Sequence, residues 1–441
     1  MSAVLDDAEK PTGDVAGVAG VSEVVEHLFR HEAGRMVAIL TRIFGIEHLG
    51  LAEDVVQETL ARALRTWPYY GVPSNPPAWI LRAARNLALD VVRREKVFRD
   101  KESEIIQLME GRSGGADEGA TGAGDFNDDR LRLMFVCCHP RIPPEAQAAL
   151  ALKTLCGFSE REISRAFLTS EAAVAKRLTR AKQRIREAGI VFEIPEGEAL
   201  KERLDGVLRA LYLLFNEGYK ASVGDELVRD DICREAIRLV GLLAQHPVGN
   251  VPRTHALLAL MLLTTARSAS RVDGDGNLLR LRDQNRALWD RSMIARGMFH
   301  LAQSASGSEV SEYHLQAGIA ACHCSASSYE ATDWERVLQL YDRWVAMDGS
   351  PVVALNRAVV VANVQGPEAG MQAVEAIQGR QKLEGYYLLY AVLGELEART
   401  EDALAAAGYF RKAMQLADLR SEQEFLARRF RECERQIEAS H

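Results

Sequence analysis

TSEAAVAKRLTRAKQRIREA, from Thr169 to Ala188, is the stretch whose reading decides the fold. Taken as a helix capped by Thr169 or Ser170, it splits into two faces. Val174, Leu178, Ala181, Ile185 and Ala188 form one apolar stripe. Ala172, Ala173, Lys176, Arg177, Arg180, Gln183 and Arg184 share the other side, small at its start and basic behind. Small side chains let a backbone approach a surface, and the cations suit a polyanion such as DNA phosphate. Working backwards, Ser159-Glu160-Arg161-Glu162 is a capping box opening a short helix over 160–167. Pro143-Pro144 opens another, ended by Gly157. Helix, capped short helix, tight turn and basic helix make a helix-turn-helix, whose second helix enters a major groove. The turn carries Leu168 where glycine is common. A solvated basic helix on an ordinary bundle accounts for the same charges.

Composition bounds the rest. A chain of 441 residues with net charge −8 holds several domains and is no polyanion binder as a whole, so any nucleic-acid contact comes from local patches. No run of about eighteen apolar residues exists, so no membrane span is expected. Residues 1–20 are acidic and Gly/Ala-rich, without the regions of a signal peptide, and read as a disordered lead. Seven cysteines, odd in number and sparse, point to reduced thiols and a cytoplasmic protein.

Upstream, an amphipathic helix carries Val24, Leu28, Met36, Ile39, Leu40 and Ile43. A second, over 52–67, buries Ala52, Val55, Val56, Leu60, Ala63 and Leu64 and leaves Asp54, Gln57, Glu58 and Arg62 outside. A Pro-rich aromatic loop from Trp67 leads to a third helix over 78–95. Its exposed arc holds Trp79, Arg82, Arg85, Asn86, Asp90 and Arg93, with Arg94 at the edge. Arginines there hold a phosphate backbone and aromatics stack on unpaired bases; alternatively Trp79 and the loop aromatics are core.

AEDVVQETLARAL (52–64) followed by PAWILRAARNLALDVVRRE (77–95) resembles region 2 of the sigma-70 family of transcription initiation factors, and 144–188 is similar to their region 4. Nothing like region 1 or region 3 lies between, as in the extracytoplasmic-function (ECF) type. The resemblance implies an all-α sigma factor without catalysis, cofactor or metal. It implies that Asp54, Gln57 and Glu58 grip the beta-prime coiled coil of core RNA polymerase. Trp67, Trp79, Arg82, Arg85, Asn86, Asp90, Arg93 and Arg94 would melt the minus-10 element. Ser170, Ala172, Ala173, Lys176, Arg177, Arg180 and Arg184 would read the minus-35 element, with region 4 on the beta flap. Region 2 is then expected over 21–100 and region 4 over 130–190.

Residues 101–129, acidic and Gly-rich, read as a flexible linker between two DNA sites. Cys137-Cys138-His139 and Cys322-His323-Cys324 invite a metal, but adjacent side chains chelate one ion poorly, and structural cysteines are favoured. Beyond 190 the chain stays helical, as an extension over 191–331 and tetratricopeptide-like repeats over 332–441. Tyr390, Leu393, Gly394, Ala406, Phe410 and Ala413 match that repeat's core, while Glu397 and Asp418 break it. Such repeats stack into a concave surface for a protein partner. Asn216, Glu217 and Tyr219 read as a helix end in contact with a neighbour rather than a site. Residues 272–277 are read as a turn rather than a calcium loop. Two rivals stay open: a helix-turn-helix regulator acting without polymerase, and a helical scaffold with an N-terminal DNA-targeting module.

Overall fold

In the computed structural model, residues 33–94 and 122–439 are described, apart from 168, 222–226, 275–277 and 418–419. The expected lead, the start of the first helix and linker residues 101–121 lie outside them, as do Leu168, Asp418 and half of the 272–277 turn. Every regular element among the described residues is helical, save an isolated bridge between Val272 and Leu278. The chain forms two units, residues 1–214 and 215–441.

The first unit begins with α1 (33–44). A 3-10 turn, Ile46–His48, leads to α2 (Leu49–Tyr70) and α3 (Pro76–Arg94). Then come α4 (Gly122–Cys137), α5 (Pro144–Thr154), α6 (Glu160–Ala166), α7 (Glu171–Glu187) and most of α8 (Gly197–Ala221). Two expectations need correcting. The aromatic loop does not begin at Trp67: α2 continues through Pro68 to Tyr70 and stops at Gly71, whose φ of +83° ends a helix without a Cβ penalty. Trp67 is 2% exposed, so it anchors the helix that the proline would otherwise weaken. Residues 122–129, expected within the linker, are helical. Their Gly- and Asp-rich sequence has little intrinsic helicity. The tertiary anchor is Asp129, fully buried, with Arg132 at 2.7 Å and Arg42 of α1 at 3.4 Å.

The segments on either side of 95–121 pack against each other. Gly34 of α1 lies so close to the end of α5 that a Cβ there would stand 2.1 Å from the Leu155 carbonyl oxygen. The α7 helix packs on the 3-10 turn as well as on α5 and α6. Arg203 of α8 donates to the Phe135 carbonyl at 2.7 Å, which ties 197–214 to α4 and carries this unit beyond the expected boundary at 190. Cys137 and Cys138 are core residues. Cys137 Sγ lies 3.0 Å from Thr154 Oγ1, and burial pushes the Cys138 thiol up to about 12.

The second unit continues with α9 (Leu227–Gln245), α10 (Pro252–Thr265), α11 (Arg291–Ser304) and α12 (Glu312–Ser325). The α10 segment THALLALMLLT, Thr254–Thr264, is buried on every side, sheathed by α9, α11 and α12. At the start of the unit Tyr219 stacks on Phe215 with centroids 5.8 Å apart and carries the Arg271 guanidinium 4.0 Å from its ring. Successive helices follow: α13 (Trp334–Asp348), α14 (Pro351–Gln365), α15 (Pro367–Glu375), α16 (Tyr387–Arg399), α17 (Ala403–Leu416) and α18 (Arg420–Ala439). Each packs on the next. Gly394 is a contact glycine, because a Cβ there would sit 2.9 Å from the Phe410 ring. Glu395 accepts from Arg280 at 3.1 Å and from Arg429 at 2.6 Å, tying α16 and α18 to the loop before α11.

Two outcomes are expected. Gly34→Ala should cost about 1–3 kcal/mol by overpacking against Leu155, whereas Gly50→Ala, with nothing within 4 Å of the new methyl, should be neutral or slightly stabilising; urea unfolding checks both. Burial, with Arg267 and Arg286 nearby, lowers His323 to about 3, and burial, with His255 and Arg296, lowers His300 to about 4. The unfolded chain titrates near 6.5 and takes up these protons first. Stability present above about pH 6.5 should therefore be lost as pH falls towards 4, and His323→Phe should flatten that slope in melts from pH 7 to 5.

Candidate nucleic-acid and polymerase interface

The α7 helix presents its charges as its sequence dictates. Ser170 is the N-cap, its Oγ accepting from Ala173 N at 3.2 Å. The preceding α6 is set by the Ser159 box: Ser159 Oγ accepts from Glu162 N at 3.2 Å while the Glu162 carboxylate accepts from Ser159 N at 2.7 Å. Val174, Leu178, Ala181 and Ile185 are buried. Ala172, Lys176, Arg180 and Arg184 are exposed, and Ala173 is half-buried. Arg177 is half-buried and pairs with Glu145 of α5 at 3.1 Å, so of the residues expected near bases it already has a protein partner.

The α2 helix places Asp54, Gln57 and Glu58 together on an exposed face. Glu58 accepts from Arg65, two helical turns along, at 2.5 Å. On α3, Arg82, Asn86 and Asp90 are exposed and Trp79 and Arg85 half-buried. Asn75 Oδ1 accepts from Ala78 N at 3.1 Å and so fixes the start of this helix. The side chains of Arg93 and Arg94 lie outside the described residues. Trp67 does not join this surface: it is core, edge-on to Trp79 with centroids 5.4 Å apart. The aromatics that do face solvent are Tyr69, 85% exposed, and Tyr70, 71% exposed.

One pair escaped the sequence reading. Glu53 of α2 is buried, and its carboxylate accepts from Lys182 of α7. Burial raises the Glu53 carboxyl above the usual range, against the opposing pull of Lys182. The second oxygen, Oε1, has no hydrogen-bond partner. The signal was present: Glu53 shares the helical face of Val56, Leu60, Ala63 and Trp67, and a carboxylate inside an apolar stripe demands a cation. Sequence could not say that the cation would come from the basic helix.

Removing one partner of a buried pair strands the other. Lys182→Met should destabilise this unit by about 2 kcal/mol, discounted because the lysine is partly exposed. The double substitution Glu53→Gln/Lys182→Met should recover part of that loss in denaturant titrations, and strict additivity would contradict the pairing.

Three segments match known families: Sigma-70 region 2 over 28–97, Sigma-70 region 4 over 132–185, and a family of unknown function (DUF6596) over 203–305. Among similar proteins, an uncharacterized protein of Rhizobium meliloti is 40% identical over 391 residues, covering 86% of this chain and 89% of its own. The ECF RNA polymerase sigma factor SigE of Mycolicibacterium smegmatis is 28% identical over 42% of this chain and 70% of its own. The RNA polymerase sigma factor CarQ of Myxococcus xanthus is 26% identical over 38% of this chain and 90% of its own. No solved structure matches. Among the described residues no helix is long and apolar enough to cross a membrane.

Proposed function

Because the chain belongs to the sigma-70 family, as an ECF-type sigma factor with a C-terminal helical extension, we propose that its two segments divide promoter recognition between them. Sigma factors are non-enzymatic initiation factors, and their partners are core RNA polymerase and promoter DNA. In the finer reading, α7 lies in the major groove of the minus-35 element, Lys176 towards bases and Arg180 and Arg184 on phosphates. The α3 face, with Arg82, Arg85 and Asn86, takes the melted minus-10 strand, and Tyr69 and Tyr70 offer stacking faces for its bases. Asp54, Gln57 and Glu58 form an acidic, amide-bearing patch for the beta-prime coiled coil, and region 4 sits on the beta flap. The protein acts where polymerase is, in the cytoplasm.

The observation that carries this reading is the exposure of three separate polar faces on α2, α3 and α7, each with its opposite side buried. The Glu53–Lys182 contact adds a step. On this reading the pair, which holds α7 to α2 in the free chain, parts as polymerase and DNA engage. The extension, with its stacked helices and tetratricopeptide-like Gly394–Phe410 contact, is a working part that bridges to polymerase or a protein partner.

Three results test this. Gln57→Ala with Glu58→Ala should weaken competition for core polymerase while leaving the helical circular dichroism unchanged; unchanged competition favours a free-standing regulator. Arg180→Ala should weaken promoter binding across sequences and lower the salt slope by about one unit, the mark of one lost phosphate contact. Truncation after Leu214, which keeps Arg203 on Phe135, should lower promoter output if the extension bridges; higher output would mean that it masks.

A further inference from the structure

The loop between α10 and α11 and the end of α12 gather four arginines that the loop's carboxylates do not pair. Arg267, Arg286, Arg282 and Arg291 lie in or beside it, and among the described residues none of the four forms an ion pair. Other arginines of this unit do: Arg280 pairs with Asp283 and Glu395, Arg357 with Asp342, Arg429 with Glu395. Arg267 and Arg286 share one ring, their Cζ atoms 6.0 and 4.5 Å from the Trp289 centroid. That ring is fixed by Trp289 Nε1 donating to Ser270 Oγ at 2.7 Å. Arg282 stands 5.1 Å from the Tyr329 centroid, and Tyr329 is held by Asn363 Nδ2 donating to its hydroxyl at 3.0 Å.

The hydrogen-bond accounting is incomplete in the same place. Arg286 caps the end of α12, its Nη1 donating to the carbonyls of His323 at 2.6 Å and Ala326 at 2.8 Å. Its Nη2 is buried without a partner, and so are Arg267 Nε and His323 Nδ1. Capping explains one nitrogen of Arg286 and nothing of Arg267 or Arg282. A guanidinium drawn out of water with no carboxylate is costly, and mutual repulsion adds to the cost. Burial and the neighbouring Arg267 and Arg291 pull the Arg286 guanidinium below its ordinary range, while Cys324 and Glu330 oppose them. The carboxylate electrostatically coupled to Arg282 and Arg286 is Glu330, which is fully exposed and held by its own backbone and Ser328. Arg267 and Arg286 are half-buried and Arg282 is exposed, so Arg282 offers the approach from solvent, while Arg267 Nε and Arg286 Nη2 lie beneath the surface.

We propose that Arg267, Arg282 and Arg286, backed by the buried Trp289 ring and flanked by Tyr329, form a binding site for the oxyanion group of a small molecule, a phosphate or a carboxylate. Planar guanidinium forks match both groups bidentately, and the bound anion supplies the charge and acceptors that the fold leaves out. The site lies wholly within the second unit and does not rest on the promoter reading. An anion there would couple a small-molecule signal to the extension.

Calorimetric titration of the full chain with inorganic phosphate and, separately, succinate at fixed ionic strength tests it. Saturable binding of at least one anion is expected, and the two arms tell phosphate from carboxylate. Arg267→Gln or Arg282→Gln should weaken that binding about tenfold. Arg411→Gln, whose guanidinium lies over Phe430 in α18, should leave it unchanged. Arg282 is exposed, so its variant carries the test even if Arg267→Gln disturbs packing. No saturable binding of either anion overturns the proposal, as does binding that neither cluster variant weakens or that Arg411→Gln weakens equally.

Discussion

Val174, Leu178, Ala181 and Ile185 are at most 3% exposed, and their burial constrains everything else in the first unit. Because an α-helix turns a new residue outward about every 100°, fixing that stripe against α5 and α6 fixes which cations face solvent. Lys176, Arg180 and Arg184 then stand on the open arc, and Lys182 falls on the flank that meets α2. The exposed basic arc and the internal pair with Glu53 are two consequences of one packing choice. A polar residue in the stripe would weaken the packing that holds the basic arc outward.

In the Glu53–Lys182 pair, a buried carboxylate is held by one partly exposed cation. A carboxylate buried beside Val56 and Leu60 is tolerated only while a cation reaches it. In the proposed function α7 moves onto DNA, which would return Glu53 to water and add Lys182 to the cations available to phosphate. The pair is therefore suited to a contact that is made and broken, where an apolar patch of equal area would remain sticky in the open state. Asp129, held by Arg42 and Arg132, is fully enclosed and has no such exit, which suits a permanent joint at the end of α4.

Much of this was legible in the sequence, for identifiable reasons. Ser159-x-x-Glu162 and Ser170 encode local hydrogen bonds, so the two helix starts around the turn could be read directly. The stripes of α3 and α7 follow from periodicity alone, and so does that of α2 except at Leu64, expected in the stripe but 45% exposed because it lies at the stripe's edge, one residue past buried Ala63. Trp67 was misplaced because Pro68 suggests a loop, whereas packing on Trp79 carries the helix a further turn. The start of α4 was hidden because GAGDFNDD has weak helicity and gains its order from Asp129, a contact distant in sequence. Glu53 with Lys182, and the Arg267–Arg286–Trp289 cluster, were illegible for the same reason: each depends on segments that only tertiary structure brings together.

The central claim is that this chain confers promoter recognition on core RNA polymerase. The most direct measurement is in-vitro transcription by purified core polymerase, with and without the chain, from DNA upstream of its own coding sequence and from a genomic fragment library. The account predicts discrete transcripts that require the chain and disappear with the Gln57/Glu58 double substitution. Stable binding to such DNA with no polymerase recruitment and no transcript from any template would contradict it.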